Sequence, residues 1–377
     1  MTKILCVLGT RPEATKMGPL IDELRRHPGF HTEVCVTAQH REMLDQVLEL
    51  FGIVPDYDLD IMKHGQSLES ILAECLRGLA SVLREAKPHL VLVHGDTSTT
   101  FAASLAAYYA GTRLGHVEAG LRTHDKYQPF PEEMNRKLTA ALADYHFAPT
   151  RQARDNLLRE GIGDAFITGN TAVDCLRYTV TAGHRFRDTA LGRVEFAGRR
   201  VLAMTAHRRE NLGEPLDAIL YAVRDIAREY ADAVVVYPVH RNPAVVKQVE
   251  AVLGGEANVV LTDPVDMNDM HNLIARSYLV LTDSGGIQEE APGLNIPVVV
   301  LRNVTERPEG LEAGTLVLAG TERAGVYSQI KRLMDDKALY AKMAAARNPF
   351  GDGWAARRIV AALAHIFQGA QRPEDYV

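Results

Sequence analysis

Two doubly wound α/β units, each built on a parallel sheet, are predicted by three observations. Short β-branched or apolar runs alternate with segments of helical periodicity along most of the chain. The 377 residues exceed what one hydrophobic core usually fills, so two domains are expected, with a ligand in the cleft between them. The rhythm breaks once, over a basic, patternless stretch at residues 183–200, and then resumes.

In the first unit the strand candidates are residues 3–8, 33–37, 89–94, 113–117 and 165–168, each followed by an amphipathic segment. Apolar runs of this length, separated by helical crossovers, read as the strands of βαβ units. The second unit repeats the pattern at 201–205, 233–237, 259–261, 278–282, 297–301 and 315–318. Three helical segments close the chain at 323–333, 339–346 and 354–367, and the last carries apolar residues at helical spacing that must pack on a neighbour.

Composition narrows the function classes. The chain is 46% hydrophobic and 24% charged, as a folded globular protein should be, and its net charge of -6 offers no global attraction to nucleic acid or to an anionic membrane. The N-terminal apolar run at 4–8 is cut short by Arg11 and Glu13, too early for a signal-peptide core or a membrane span, so a cytoplasmic location is expected. Cys6, Cys35, Cys75 and Cys175 are widely spaced and form no CxxC pair, which suits reduced core residues. No HExxH motif, Cys/His cluster or calcium loop points to a metal.

In doubly wound sheets ligands gather at the carboxyl ends of the strands, so the polar residues just past each apolar run matter most. The first strand runs into Gly9-Thr10-Arg11-Pro12-Glu13, where Arg11 and Lys16 suit an anion and equally suit a well-capped helix. The third clear strand ends in His94-Gly95-Asp96-Thr97, and Asp96 reads as a site carboxylate or as an N-cap. Glu118 follows the next strand, and Glu132 and Glu133 begin a helix after a Pro-rich loop, where acids also complement the helix dipole. In the second unit His207, Arg208 and Arg209 follow a strand directly, a grouping that favours a site over a structural histidine.

The sharpest phosphate signal is Asp283-Ser284-Gly285-Gly286-Ile287-Gln288-Glu289-Glu290 between a strand and a helix. Ser284, Gly285 and Gly286 let backbone N–H groups approach a diphosphate, and Glu290 is spaced to accept ribose hydroxyls. The run is neither GxGxxG nor a P-loop. Arg307 follows a later strand as a further phosphate partner.

Taken together, GTRPEA, TAQHREMLDQ, HGDT, HVEAGLRT, PEEMNR, TGNT, HRRE, DSGGIQEEAP and TERPE resemble, in order and spacing, the bacterial non-hydrolysing UDP-N-acetylglucosamine 2-epimerases over essentially the whole chain. The resemblance implies two Rossmann-like doubly wound domains facing an interdomain cleft, of the GT-B type. Residues 1–169 plus 355–377 would form the catalytic domain and 170–354 the UDP-binding domain. It also implies reversible C2 epimerisation of UDP-N-acetylglucosamine, by anti elimination of UDP through 2-acetamidoglucal and re-addition. No cofactor is required, and a homodimer serving surface polysaccharide synthesis is implied.

Carried over by position, Asp96, Glu118, Glu132 and His207 resemble the catalytic set. Arg11, Lys16, Ser284, Gly285, Gly286, Glu290 and Arg307 resemble the substrate ligands, and Met270 stands where relatives often set an aromatic residue against the uracil. Gln46, Gln66, Arg209 and His240 resemble parts of an activator site for a second UDP-N-acetylglucosamine, although Glu42 and Gly65 depart from its pattern. The same diphosphate grip would serve a sugar transferase. A non-catalytic nucleotide-sugar sensor would not need three carboxylates at the opposite strand tips.

Overall fold

The structure, a computed structural model, describes residues 1–38, 41–61 and 65–376, and of residues 41–43 the backbone. Contacts divide the chain into two compact units, Met1–Cys175 with Phe350–Val377, and Leu176–Pro349.

In unit 1 the strands are β1 (Thr2–Leu8), β2 (Phe30–Val36), β3 (Tyr57–Asp58), β4 (Leu90–His94), β5 (Arg113–Val117), β6 (Tyr145–Ala148) and β7 (Ala165–Ile167). They form one parallel sheet in the order β3-β2-β1-β4-β5-β6-β7. Every residue of β4 is buried, as expected of a central strand covered by helices on both faces. The order reverses between β1 and β4, and a ligand crevice is expected at such a switch point. Leu90 pairs with Arg113 through to His94 with Val117. This register brings the residues after β4 and β5 out of the sheet side by side.

Unit 2 holds β8 (Arg200–Thr205), β9 (Ala233–Pro238), β10 (Val259–Thr262), β11 (Leu279–Thr282), β12 (Val298–Val300) and β13 (Leu316–Leu318), ordered β10-β9-β8-β11-β12-β13 and all parallel. Its switch point lies between β8 and β11, where Thr205 and Thr282 are register partners. The core packs the inner faces of β8, β9 and β11 under the helices Glu214–Glu229 and Arg323–Asp335.

The strands expected in both units are present, and two more occur that sequence pattern did not call for. β3 is a two-residue edge strand. β6 reads Tyr-His-Phe-Ala, and its buried His146 is satisfied by the carbonyl of Ala140 at 2.9 Å, so a polar side chain sits inside a strand. The final helix, Ala355–Gln368, belongs to unit 1 and buries Ile359, Val360 and Leu363 there. The chain crosses after Cys175 and returns at Phe350, rather than at 169/170 and 354/355. Asp174 accepts the first backbone N–H groups of that helix, from Ala355 at 3.0 Å and Ala356 at 2.7 Å, and Asn170 N donates to the Phe350 carbonyl at 2.6 Å. Those bonds tie residues 170–175 to unit 1.

The four cysteines are buried. Burial pushes the thiols of Cys6 and Cys35 up to about 12 and that of Cys75 to about 11, so they stay protonated. No helix among the described residues is long and apolar enough to cross a membrane.

Candidate active site

At the switch point of unit 1 the chain builds a cluster of carboxylates and their counter-groups. Glu13, in the first turn of the helix Arg11–Arg26, is fully buried and ties two strand tips together. Its Oε2 accepts from Gly9 N at 3.1 Å, Thr10 N at 2.8 Å and Thr10 Oγ1 at 2.8 Å, while Oε1 accepts from Thr97 Oγ1 at 2.8 Å and Thr100 Oγ1 at 3.0 Å. The tips of β1 and β4 are thereby locked side by side.

Asp96 follows β4, but it is not the helix cap. Thr97 takes that role, its hydroxyl accepting from Thr100 N at 3.1 Å. The Asp96 carboxylate pairs instead with Arg136, and its carbonyl accepts from Asn135 Nδ2 at 2.9 Å. Burial pushes the Asp96 carboxyl above the usual carboxylate range; Arg136 and Lys16 oppose the shift, while Glu118 and Glu132 add to it. A carboxyl raised toward neutrality beside other acids suits proton transfer.

Glu118 follows β5 in a left-handed conformation, φ 62°, which costs a non-glycine residue about 1–3 kcal/mol and persists only where neighbours hold it. Its Oε2 pairs with Lys16, accepts from Asn170 Nδ2 at 2.9 Å and lies 3.6 Å from His94 Nε2. Burial lowers the His94 imidazole to about 4, so the ring is neutral at pH 7. Of the two acids opening the helix Glu132–Leu142, Glu133 is buried and occupied by the backbone N–H groups of Thr123 at 3.1 Å and His124 at 3.2 Å. It anchors the preceding loop, while Glu132 is half-buried and close enough to act on Asp96. Arg11 is exposed at the first position of its helix. Lys16, Asp96, Glu118 and Glu132 therefore form one cluster.

In unit 2 Ser284 is the N-cap residue of the helix Gly285–Gly293, which starts at the tip of β11. A Cβ at Gly285 would stand 3.7 Å from Nη2 of both Arg208 and Arg307, so two guanidinium groups flank a helix N-terminus. Backbone donors, dipole and two fixed positive charges together make an anion site. Arg307 is aimed by Glu289, a buried carboxylate that takes its Nε–H. Arg208 is held by its backbone N–H on Asp283 Oδ2 at 2.8 Å and its Nε–H on the Asp283 carbonyl at 3.2 Å.

His207 follows β8 and stacks on His240, with centroids 5.2 Å apart and planes 7° from parallel. Glu290 lies along the same helix, its Oε2 3.5 Å from Nε2 of buried His271, whose Nδ1 lies 2.7 Å from Thr179 Oγ1. Met270 precedes that histidine and packs half-buried against the core. His207, Arg208, Ser284, Gly285, Gly286 and Arg307 meet at the tips of β8 and β11. Glu290 and Met270 border them on the helices Gly285–Gly293 and Met267–Ala275.

The residues resembling an activator site are less concentrated. Gln46 is exposed on the helix Arg41–Leu50, and Gln66 donates to Glu74 at 3.2 Å. Arg209 is exposed in the turn Arg209–Asn211, while His240 lies against His207. The Glu42 side chain and residues 39 and 40 of the TAQHREMLDQ run lie outside the described residues. Among the described residues no group of His, Cys, Asp and Glu is arranged to hold a metal ion.

Sequence reasoning passed over Glu13, Arg136, Asn170, Asp283 and Glu289. Glu13 was signalled by the Thr10-x-x-Glu13 capping box. Asp283 stands at the tip of β11, separated by Ser284 from the two glycines that carry the stronger phosphate signal. Arg136, Asn170 and Glu289 fall inside the PEEMNR, TGNT and DSGGIQEEAP runs, but their partners are far away in sequence.

Residues 22–364 match the family model described as UDP-N-acetylglucosamine 2-epimerase. The UDP-N-acetylglucosamine 2-epimerase of Bacillus subtilis (strain 168) is 52% identical over 377 residues, covering 99% of this chain and 98% of that protein. Among solved structures, an S. aureus MnaA–UDP co-structure superposes with a TM-score of 0.90 at 46% identity, covering 100% of both chains. The UDP-GlcNAc 2-epimerase of Neisseria meningitidis bound to UDP-GlcNAc superposes with a TM-score of 0.87, at 46% identity over 96% of this chain and 99% of that one.

Proposed function

The chain belongs to the UDP-N-acetylglucosamine 2-epimerase family, and from that premise we propose that it interconverts UDP-N-acetylglucosamine and UDP-N-acetylmannosamine without net hydrolysis. The observation that carries this reading is the pairing of two chemistries in one chain. Unit 2 has a helix N-terminus flanked by Arg208 and Arg307, suited to a diphosphate. Unit 1 has Asp96 with Glu118 and Glu132 both within electrostatic reach of it, suited to moving protons.

The C2 hydrogen of the sugar is not adjacent to a carbonyl, so direct deprotonation has no enolate to stabilise it. Elimination removes the difficulty. The C1–O bond breaks with its electron pair going to the diphosphate oxygen. Positive character at C1 acidifies C2–H, the C2–H pair becomes the C1=C2 bond, and a carboxylate takes the proton. The products are UDP and 2-acetamidoglucal. Re-addition reverses each step, with C2 protonated on the other face, and therefore needs a second proton-transfer group.

Asp96, Glu118 and Glu132 supply those groups and position the sugar, with Lys16 holding Glu118 and Arg136 holding Asp96. Arg11, Arg307 and the backbone at Ser284–Gly286 stabilise the charge that develops on UDP. Glu290 takes the ribose hydroxyls, and Met270 covers the uracil. His207 acts at the departing phosphate oxygen. An activator site at Gln46, Gln66, Arg209 and His240, a homodimer, and a product destined for surface polysaccharide belong to the same proposal and rest on the family resemblance.

Positional isotope exchange tests the elimination route. With 18O in the bridge between C1 and the β-phosphorus, label is expected to scramble into the non-bridging β-oxygens as the two nucleotide sugars equilibrate. Label confined to the bridge would rule out cleavage at C1–O. Net release of UDP with free N-acetylmannosamine would make the enzyme a hydrolase.

A further inference from the structure

The function proposed for His207 leaves open what decides which ring nitrogen carries its proton, and buried Asp283 supplies an answer that rests on that reading. Asp283 is fully buried at the tip of β11. Its Oδ2 is saturated, accepting from His207 N at 2.8 Å, Arg208 N at 2.8 Å and Asn211 Nδ2 at 3.1 Å. Its Oδ1 is equally buried, has no hydrogen-bond partner among the described residues, and lies 3.5 Å from His207 Nδ1. An unpaired carboxylate oxygen away from water is costly, and the imidazole N–H is the donor at hand. Stacking on His240 restricts the ring's other orientations.

We propose that Asp283 is a positioning residue that keeps the proton on His207 Nδ1, so that Nε2, on the far side of the ring, is the nitrogen that serves the leaving diphosphate. As the C1–O bond breaks and its electron pair goes to oxygen, the imidazolium gives that oxygen its Nε2 proton and becomes the neutral Nδ1–H tautomer. On re-addition the oxygen returns the proton to Nε2 as the C1–O bond forms again. Atoms and charges balance without a co-reactant.

The groups facing the ring act in opposite senses. Burial, the largest influence, holds the His207 imidazole below its ordinary value; Asp283 opposes that shift, and His240 and Arg208 add to it. Of these groups Asp283 alone favours the charged imidazole. Its other role, tying the turn after β8 through Oδ2, is structural and says nothing about Oδ1.

Nitrogen-15 NMR of the UDP-bound protein, with His207 assigned by comparison with His207→Asn, reads the tautomer directly. His207 Nδ1 is expected to stay protonated on both sides of the titration, and a bare Nδ1 in the neutral ring overturns the proposal. In Asp283→Asn the amide oxygen can replace Oδ2 for the backbone donors, while its NH2 faces Nδ1 and forces a bare nitrogen. That variant is expected to bind UDP with little change and to lose roughly 10²- to 10⁴-fold in kcat, as when the carboxylate of a catalytic histidine is replaced by amide. Wild-type kcat with Nδ1 still protonated in Asp283→Asn also overturns the proposal. If that variant does not fold, the wild-type tautomer decides alone. His207→Asn with unaltered kcat would instead remove the assignment of His207 on which this inference stands, independently of the tautomer.

Discussion

Asp96→Asn is expected to lower kcat by about 10²- to 10⁴-fold, the range a positioned proton-transfer group contributes, while leaving UDP affinity unchanged. The amide keeps an acceptor oxygen for Arg136 and the same shape behind β4, so the fold is retained. It cannot take or give a proton. The result follows from the structure because Asp96 is not needed as a helix cap, a role that Thr97 fills. Steady-state kinetics together with a UDP titration separate the two effects. A kcat close to wild type would remove Asp96 from the proton chemistry and leave Glu118 and Glu132 to carry it.

Gly285→Ala is expected to separate stability from binding. Gly285 does not adopt a left-handed φ, and a Cβ there meets nothing closer than the two guanidinium tips at 3.7 Å. The chain therefore tolerates alanine, and reduced freedom in the unfolded state adds up to about 1 kcal/mol of stability. The same methyl occupies the space into which a phosphate oxygen must come to reach the backbone N–H groups. Loss of one or two charge-assisted hydrogen bonds costs about 1.5–3 kcal/mol, or roughly 10- to 100-fold in UDP Kd. Calorimetric titration with UDP and thermal unfolding check both halves. Undiminished UDP affinity would mean that the diphosphate does not sit on this helix start.

The architecture was legible because most strands are apolar runs bounded by turn residues, and parallel strands buried on both faces have that appearance. Tyr57–Asp58 is too short to show a pattern, and Tyr145–Ala148 hides its polar His146 behind a hydrogen bond to Ala140. The candidate site was legible to the extent that chemistry sits at strand tips. Glu118 directly follows its strand, and Asp96, His207 and the Ser284–Gly286 run begin one residue further on from theirs.

What the sequence could not disclose is which of two adjacent acids is consumed by structure. Glu132 and Glu133 look alike in a helix's first turn, yet only the fold shows Glu133 tied to the loop at Thr123 and His124. The counter-groups were hidden for a related reason. Asn170 reaches Glu118 across 52 residues and Arg307 reaches Glu289 across 18, distances at which no local spacing rule operates. The domain crossover is likewise set by hydrogen bonds that a helix about 180 residues further on donates to Asp174.

Proton NMR of UDP-N-acetylglucosamine incubated with the pure protein in deuterated water, without added nicotinamide, metal or sugar acceptor, tests the central claim most directly. The account predicts a mixture of UDP-N-acetylglucosamine and UDP-N-acetylmannosamine with deuterium at C2. Epimerised product that keeps its C2 hydrogen, or a spectrum that does not change, would contradict it.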